Sequence, residues 1–573
     1  MKKLIFSTII IIISVFQINT STACTNFLVT KGASIDNSVL SSYACDSHDI
    51  YGELYFWPAK DHPAGSSVRI VDWITGKYLG NIPQINHTYR VIGNMNEHQL
   101  VITESTWGGR EELTDSTGII DIGSLIYLTL QRAKNAREAI RTFHFLTSEY
   151  GYYSIGETFT IADKNEAWIL DLIGKDHGKK GAVWVARKVP DGYISGHANH
   201  ARITNFPKQN KKTSISSDLI NNDKYLNNPE LECVYASDVI SFAMEMNYID
   251  SKTKHDDFNF ADTYNPLSFG AARFCEARVF AGFNRVNSDM GKYLDYAMGE
   301  NLQNRMPLWI KPDKKIGVRD LMELMRDYYQ GTPMDMTKDV GAGPYKSTVR
   351  WRPITWEVNG ERYFHERAIS TQQTAFSIVA QCRSDFPDPI GGILWFGVDD
   401  TYLTVYNPLY AGLQEAPEMF KVGNGDILTY SETSAFWLFN RVSNNAYNQM
   451  SRVYPLIREK QNELELGFIE STKEIEQKAL EIYQSNPEEA IQLISDFSQK
   501  SCLKTWETWK NLENYLLVHY SDGNIKKEQG TRDNYVRELF NEEFDIPAIE
   551  QPGYSEDYYE NIVRDTDVKQ KMK

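Results

Sequence analysis

No two of the six cysteines, Cys24, Cys45, Cys233, Cys275, Cys382 and Cys502, lie close enough to form a CxxC unit. That spacing argues against a zinc ribbon and against a disulfide-stapled scaffold. There is no GxSxG elbow, no P-loop and no GxGxxG turn between strand and helix, so those catalytic and nucleotide-binding classes have no motif to rest on. Basic residues are in deficit, 60 Lys and Arg against 76 Asp and Glu, for a formal charge of −16. Such a balance disfavours nucleic acid as a partner, because phosphate neutralisation needs clustered cations. Beyond residue 23 no apolar run approaches the ~18 residues of a membrane span. His197 and His200 tempt a metal reading, as does His48 beside Asp49. The first two fall in a strand-to-loop stretch with no third ligand of suitable spacing, so no metal and no other cofactor is expected. Hydrophobic (42%) and aromatic (12%) contents are those of a folded chain, and 573 residues allow several domains or one elaborated one.

What is present starts at the N-terminus. Lys2 and Lys3 precede an apolar run from Leu4 to Ile18, broken only by Ser7, Thr8, Ser14 and Gln17, with small residues at Ser21 and Ala23. These are the parts of a secretory signal, residues 1–23, cleaved after Ala23. Cleavage would make Cys24 the first residue, its thiol beside its own α-amine. Their reference pKa values are about 8.5 and about 8, so the amine can take the thiol's proton near neutrality. That is the chemistry of an N-terminal nucleophile. Two other readings compete. A lipoprotein signal also cuts before cysteine, although its usual Leu three residues earlier is Ser21 here, and the cysteine may be incidental.

Periodicity then alternates between strand and helix. Short strands are expected at 25–30, 38–43, 54–57, 68–74, 87–91 and 100–103. A helical period follows over 124–149, split near Asn135, before strands return at 157–162, 167–172, 182–188 and 192–195. Further helices are expected at 236–246 and 318–329, and further strands at 376–380, 392–398 and 402–406. From about 446 to 520 the chain reads as charged helix, with Pro487 opening a new segment, and the acidic tail after Asn541 is weakly patterned. Strands, a helical layer and strands again imply layered α+β packing.

The stretch Cys24-Thr25-Asn26-Phe27-Leu28-Val29, with Lys31-Gly32-Ala33-Ser34, Asp36 and Tyr43-Ala44-Cys45-Asp46, resembles the opening of secreted dipeptidases of the cysteine N-terminal nucleophile class. Later stretches agree in order: Asn96-Glu97-His98-Gln99-Leu100 leading to Glu104-Ser105-Thr106, Ala198-Asn199-His200-Ala201-Arg202-Ile203, Ala272-Arg273-Phe274-Cys275-Glu276-Ala277-Arg278, and Gly392-Ile393-Leu394-Trp395-Phe396-Gly397-Val398-Asp399-Asp400. The similarity runs to roughly Met419. It implies the four-layer αββα sandwich of N-terminal nucleophile (Ntn) hydrolases, a superfamily that includes bile salt hydrolases and penicillin V acylases. Over 24–440 it implies a dipeptidase domain, and 441–573 is left as a helical extension and acidic tail.

The resemblance also implies roles. Cys24 is the nucleophile, and Asp46 holds its amine. Asn199 is an oxyanion donor, and either Arg273 or Arg278 is the site arginine. Glu104, Ser105 and Thr106 supply a second oxyanion or substrate contact. Relatives often carry Arg three residues before the Asp, where this chain has Tyr43. The expected function is a secreted or periplasmic cysteine dipeptidase acting on dipeptides or short peptides, without cofactor, with homo-oligomerisation left open. The alternatives are an acylase for bile-salt or penicillin-type amides and a non-enzymatic surface lipoprotein anchored at Cys24.

Overall fold

The computed structural model describes residues 24–176, 178–531, 545–566, 569, 571 and 572. The leader read over 1–23 lies outside the described residues. Ten strands carry the architecture: β1 (Thr25–Val29), β2 (Val39–Asp46), β3 (Val101–Gly108), β4 (Gly156–Ala162), β5 (Ala167–Gly174), β6 (Ala182–Lys188), β7 (Ile194–His197), β8 (Thr374–Cys382), β9 (Ile393–Val398) and β10 (Asn407–Tyr410). Most are buried along their whole length. A strand buried on both faces must be covered on both sides.

The first sheet has seven strands in the order Trp309–Ile310, β7, β1, β2, β8, β9, β10. The second runs Ser214–Ser216, Cys233–Tyr235, β6, β5, β4, β3, Met95–Asn96, Val91–Ile92, Phe56–Trp57. The sheets meet where β1 and β2 pack against β3 and β4. Helices take the remaining faces: α1 (Ile122–Leu130) lies on β3, α2 (Ala136–Tyr150) on β4 and β6, α3 (Ala277–Val286) on β1 and β7, and α4 (Val318–Met325) on β2 and β8. Asn135 separates α1 from α2 as an N-cap, its side chain accepting from the Glu138 amide.

Three further helices, α5 (Ala435–Tyr447), α6 (Met450–Tyr483) and α7 (Pro487–His519), close the far side. Asn486 caps α7 and Pro487 opens it, a position where the missing N–H is harmless. α7 packs on β10, and its Trp509 stacks on Phe439 of α5. Position 440 therefore falls inside α5, and the core runs without a break from Cys24 to Leu516.

Some expected elements shift. The strand read at 402–406 is a turn closed onto the Asp400 carbonyl by Leu403 and Thr404, and pairing begins at Asn407. Pro408 is tolerated because β10 is an edge. The helix read to Tyr329 stops at Met325, and Tyr329 itself is left-handed (φ 66°). The weakly patterned tail after Asn541 holds a strand, Asp545–Glu550, that pairs with Ile525–Thr531 ahead of it, and a helix, Glu556–Thr566.

Candidate active site

Cys24 heads β1, and the rest of β1 fixes its position. Phe27 fills a hollow made by Gly196 and Gly282, where an added Cβ would meet the Phe27 ring at 2.7 and 2.2 Å. Gly282 thereby lets α3 approach β1 closely, and Arg278 stands one turn earlier on the same helix. Its Nη1 donates to the Cys24 carbonyl (2.7 Å) and to Thr25 Oγ1 (2.8 Å), and its Nη2 donates to Asn199 Oδ1 (2.6 Å). Burial pushes the Arg278 pKa down to about 10, still far above neutrality. Asn199 follows β7 in the left-handed region (φ 56°), which Asn tolerates better than most residues. With its oxygen held by Arg278, its Nδ2 donates to the Thr106 carbonyl at 2.5 Å.

The thiol faces a different group. Met95–Asn96 pairs with β3 only at Val101, so among the described residues no strand lies beside this β3 edge beyond Ile102. Asn26 takes that edge, its Nδ2 donating to the Glu104 carbonyl (2.6 Å) while its oxygen accepts from Thr103 Oγ1 (2.6 Å). This brings the Glu104 side chain against Cys24: Sγ lies 3.2 Å from Oε1, which also accepts from the Tyr43 hydroxyl at 2.7 Å. Glu157 stands directly across from Thr106 in the β3–β4 register, on the same face as Glu104. Burial raises both carboxyl pKa values, and Glu157 is pushed well up by the further repulsion of Glu104. Burial, then Cys45 and Glu104, also drives the Cys24 thiol well above its ordinary range, so in the uncleaved chain it stays protonated.

Residues 57–463 match the family model described as peptidase family C69. The chain belongs to that family. The match begins beyond Cys24 and takes in Glu104, Glu157, Asn199 and Arg278. Curated relatives include "Probable dipeptidase B" of Streptococcus pyogenes serotype M1, 22% identical over 541 residues, covering 90% of this chain and 97% of the relative. "Dipeptidase A" of Lactobacillus helveticus is 22% identical over 457 residues, 76% of this chain and 83% of its own. "Probable dipeptidase B" of Lactococcus lactis subsp. lactis (strain IL1403) is 22% identical over 441 residues, 73% and 79% respectively.

In this peptidase the remaining sequence-derived residues divide. Asp46 is fully buried, accepting from Arg367 Nη2 (2.5 Å) and Thr374 Oγ1 (2.6 Å), close enough to Cys24 to raise the thiol pKa. Arg273 pairs with Glu366 and lies under Phe364, whereas Arg278 bonds the Cys24 carbonyl. Ser105 points to the opposite face of β3 from Glu104 and bonds His197 Nδ1 at 2.7 Å. Thr160 holds the other ring nitrogen at 2.9 Å, and burial takes the His197 pKa down to about 3, so this histidine is a neutral core residue. His200, at about 4, is likewise neutral. Among the described residues no group of three or more His, Cys, Asp or Glu could hold a metal, and no helix is long and apolar enough to cross a membrane.

The residue reading missed Tyr43, Glu157 and Arg367. One signal was available: Glu157, Phe159 and Ile161 share a face of β4, so a carboxyl interrupts an otherwise apolar core face.

Proposed function

We propose that this chain is an exported dipeptidase whose leader is removed after Ala23 and whose new N-terminal cysteine is the nucleophile. One observation carries the reading: the Cys24 thiol sits among buried charged groups, with Glu104 on the sulfur and Arg278 bridging the Cys24 carbonyl to Asn199. Such surroundings suit the charged ends of a small peptide. A bile-salt or penicillin acylase would call for a large apolar pocket around the thiol. The names of the relatives, dipeptidases, support the same substrate class. Two facing sheets with helices on their outer faces support the αββα layering of Ntn hydrolases.

Before cleavage the Cys24 nitrogen is an amide and cannot accept a proton, so the thiol stays protonated. Cleavage turns it into an amine three bonds from the sulfur, which takes the thiol proton. The thiolate bonds to the scissile carbonyl carbon, and the carbonyl electron pair moves to oxygen. An N–H of the Asn199 amide, helped by a backbone N–H, receives that oxyanion. As the C–N bond breaks, the Cys24 ammonium gives its proton to the leaving amine. Water, deprotonated by the same amine, then splits the thioester and frees Cys24. Asp46, held by Arg367 and Thr374, is the carboxylate proposed to orient the ammonium.

The test is a panel of dipeptides and acyl amides on purified mature protein, with Cys24→Ala as control and mass spectrometry of the N-terminus. A free Cys24 and turnover of dipeptides lost in Cys24→Ala are expected. Turnover of acyl amides alone, or a lipid-modified Cys24 on an inert protein, would overturn the reading.

A further inference from the structure

Glu104 and Glu157 are 7% and 1% exposed, stand on adjacent strands, and among the described residues bond only neutral groups and each other. Oε2 of Glu157 is fully buried without a hydrogen-bond partner. Two neighbouring carboxyls out of water are expensive to hold unless a cation joins them or they share a proton. The pair also touches the reacting atom, since Glu104 Oε1 is 3.2 Å from Sγ. Thr106, which reaches Glu104 Oε2 at 3.5 Å and stands across from Glu157, is half-buried, so solvent meets the edge of this cluster.

A scissile carbonyl carbon must come within about 3–3.5 Å of Sγ to react. In a dipeptide the α-ammonium is two bonds from that carbon. A group that reads the free N-terminus must therefore lie beside the nucleophile, where Glu104 lies. An ammonium brings donors for several acceptors at once, which suits Glu104 and the orphaned Glu157 oxygen together. A metal ion is less well served, because the described residues offer no third ligand. We propose that Glu104 and Glu157 together bind the protonated α-amine of the substrate's first residue and so make the site selective for unblocked N-termini. This rests on the reading of Cys24 as the nucleophile of a dipeptidase. In the empty site burial and mutual repulsion favour a shared proton. An arriving ammonium replaces that proton, which leaves to solvent. Cys24's own amine is assigned to Asp46, and that division is what the experiment separates.

Mature Cys24→Ala protein is titrated calorimetrically with dialanine and with N-acetyldialanine, alone and combined with Glu157→Gln. Dialanine should bind at least ~30-fold tighter than the acetylated probe, and Glu157→Gln should reduce that ratio to a few-fold, the scale of effect for a buried charge pair losing one member. Equal affinities in Cys24→Ala, or a ratio that survives Glu157→Gln, would overturn the proposal. Circular dichroism checks folding, and Glu104→Gln carries the same comparison if Glu157→Gln does not fold. In turnover by otherwise unaltered mature enzyme, Glu157→Gln should raise KM for dialanine more than it lowers kcat. A fall in kcat alone, equal for both probes, would assign the carboxyls to Cys24's amine and overturn the proposal. Failure of the underlying reading shows elsewhere, as hydrolysis of dialanine by the Cys24→Ala protein.

Discussion

On the helical side of the molecule Glu465 of α6 is fully buried, clasped by Arg319 and Arg326, and accepts the Tyr406 amide at 3.1 Å. Glu323 joins the same network, held by Arg326 (3.0 Å) and Arg458 (2.7 Å). Beside Cys24, Glu104 and Glu157 are buried to a similar depth but meet a tyrosine, a threonine, a thiol and each other. The first network sets two carboxylates among three guanidinium groups and fastens α6 to α4. The second holds no cation among the described residues and lies on the sulfur of Cys24. Carboxyls matched by guanidinium groups have a structural role, whereas carboxyls without a cation beside a thiol are placed, on the proposed reading, for a ligand.

The contrast can be broken by substitution. Glu465→Ala takes the buried carboxylate from Arg319 and Arg326, which then share Glu323 alone, and is expected to destabilise the fold by about 3 kcal/mol, measured by denaturant unfolding, with kcat of the folded fraction unchanged. Asn199→Ala should act mainly on the reaction. It should lower kcat roughly a hundred-fold or more with a much smaller change in KM, because an oxyanion contact matters mainly in the transition state, beside a loss of about 1–3 kcal/mol of stability as Arg278 and the Thr106 carbonyl lose their bonds to Asn199. If kcat hardly moves, the oxyanion donor lies elsewhere.

Smaller effects sharpen the comparison. Ser105→Ala, on the face of β3 away from Glu104, removes one bond to His197. It should cost about 1 kcal/mol of stability with kcat/KM close to unchanged; a large loss of activity would contradict the division of β3 into two faces. Glu157→Gln is expected to leave Tm within about 2 °C of the parent at pH 7 or raise it, in contrast to Glu465→Ala. The sign follows from the raised pKa. The folded protein binds the Glu157 proton more tightly than the unfolded chain, so that contribution is largest below the ordinary carboxylate pKa. It declines as pH rises through the window between the unfolded and folded values. Glutamine cannot ionise, so Tm plotted against pH should fall less steeply in the variant. A steeper fall would mean that Glu157 is stabilised as a carboxylate by a cation.

Much of the order of strands and helices along the chain was legible in the sequence, because period-two and helical stretches report burial directly. The split near Asn135 was readable as a capping residue, and Pro487 as a helix opening. Cys24, Asn199 and the two candidates Arg273 and Arg278 could be proposed for the site by type and by family resemblance. Choosing between Arg273 and Arg278 was not possible from spacing: the choice depends on Gly282 letting α3 reach β1, a contact across hundreds of residues. Ser105 and Glu104 are neighbours in sequence and face opposite ways, so the strand register, not proximity, decides which meets the thiol. Glu157 could be noticed as a carboxyl on an apolar strand face, but its place beside Glu104 was out of reach for the same reason, since only the β3–β4 pairing sets it there.

The most direct test of the account concerns the amine of Cys24. A mature form carrying one uncleaved Ala before Cys24 keeps the thiol and every side chain around it but converts the amine to an amide. It should fold, as circular dichroism would show, and lose nearly all dipeptide turnover, and trimming the Ala with an aminopeptidase should restore the rate. Comparable rates in the extended and trimmed forms would contradict the account, because the base that activates Cys24 would then be some other group.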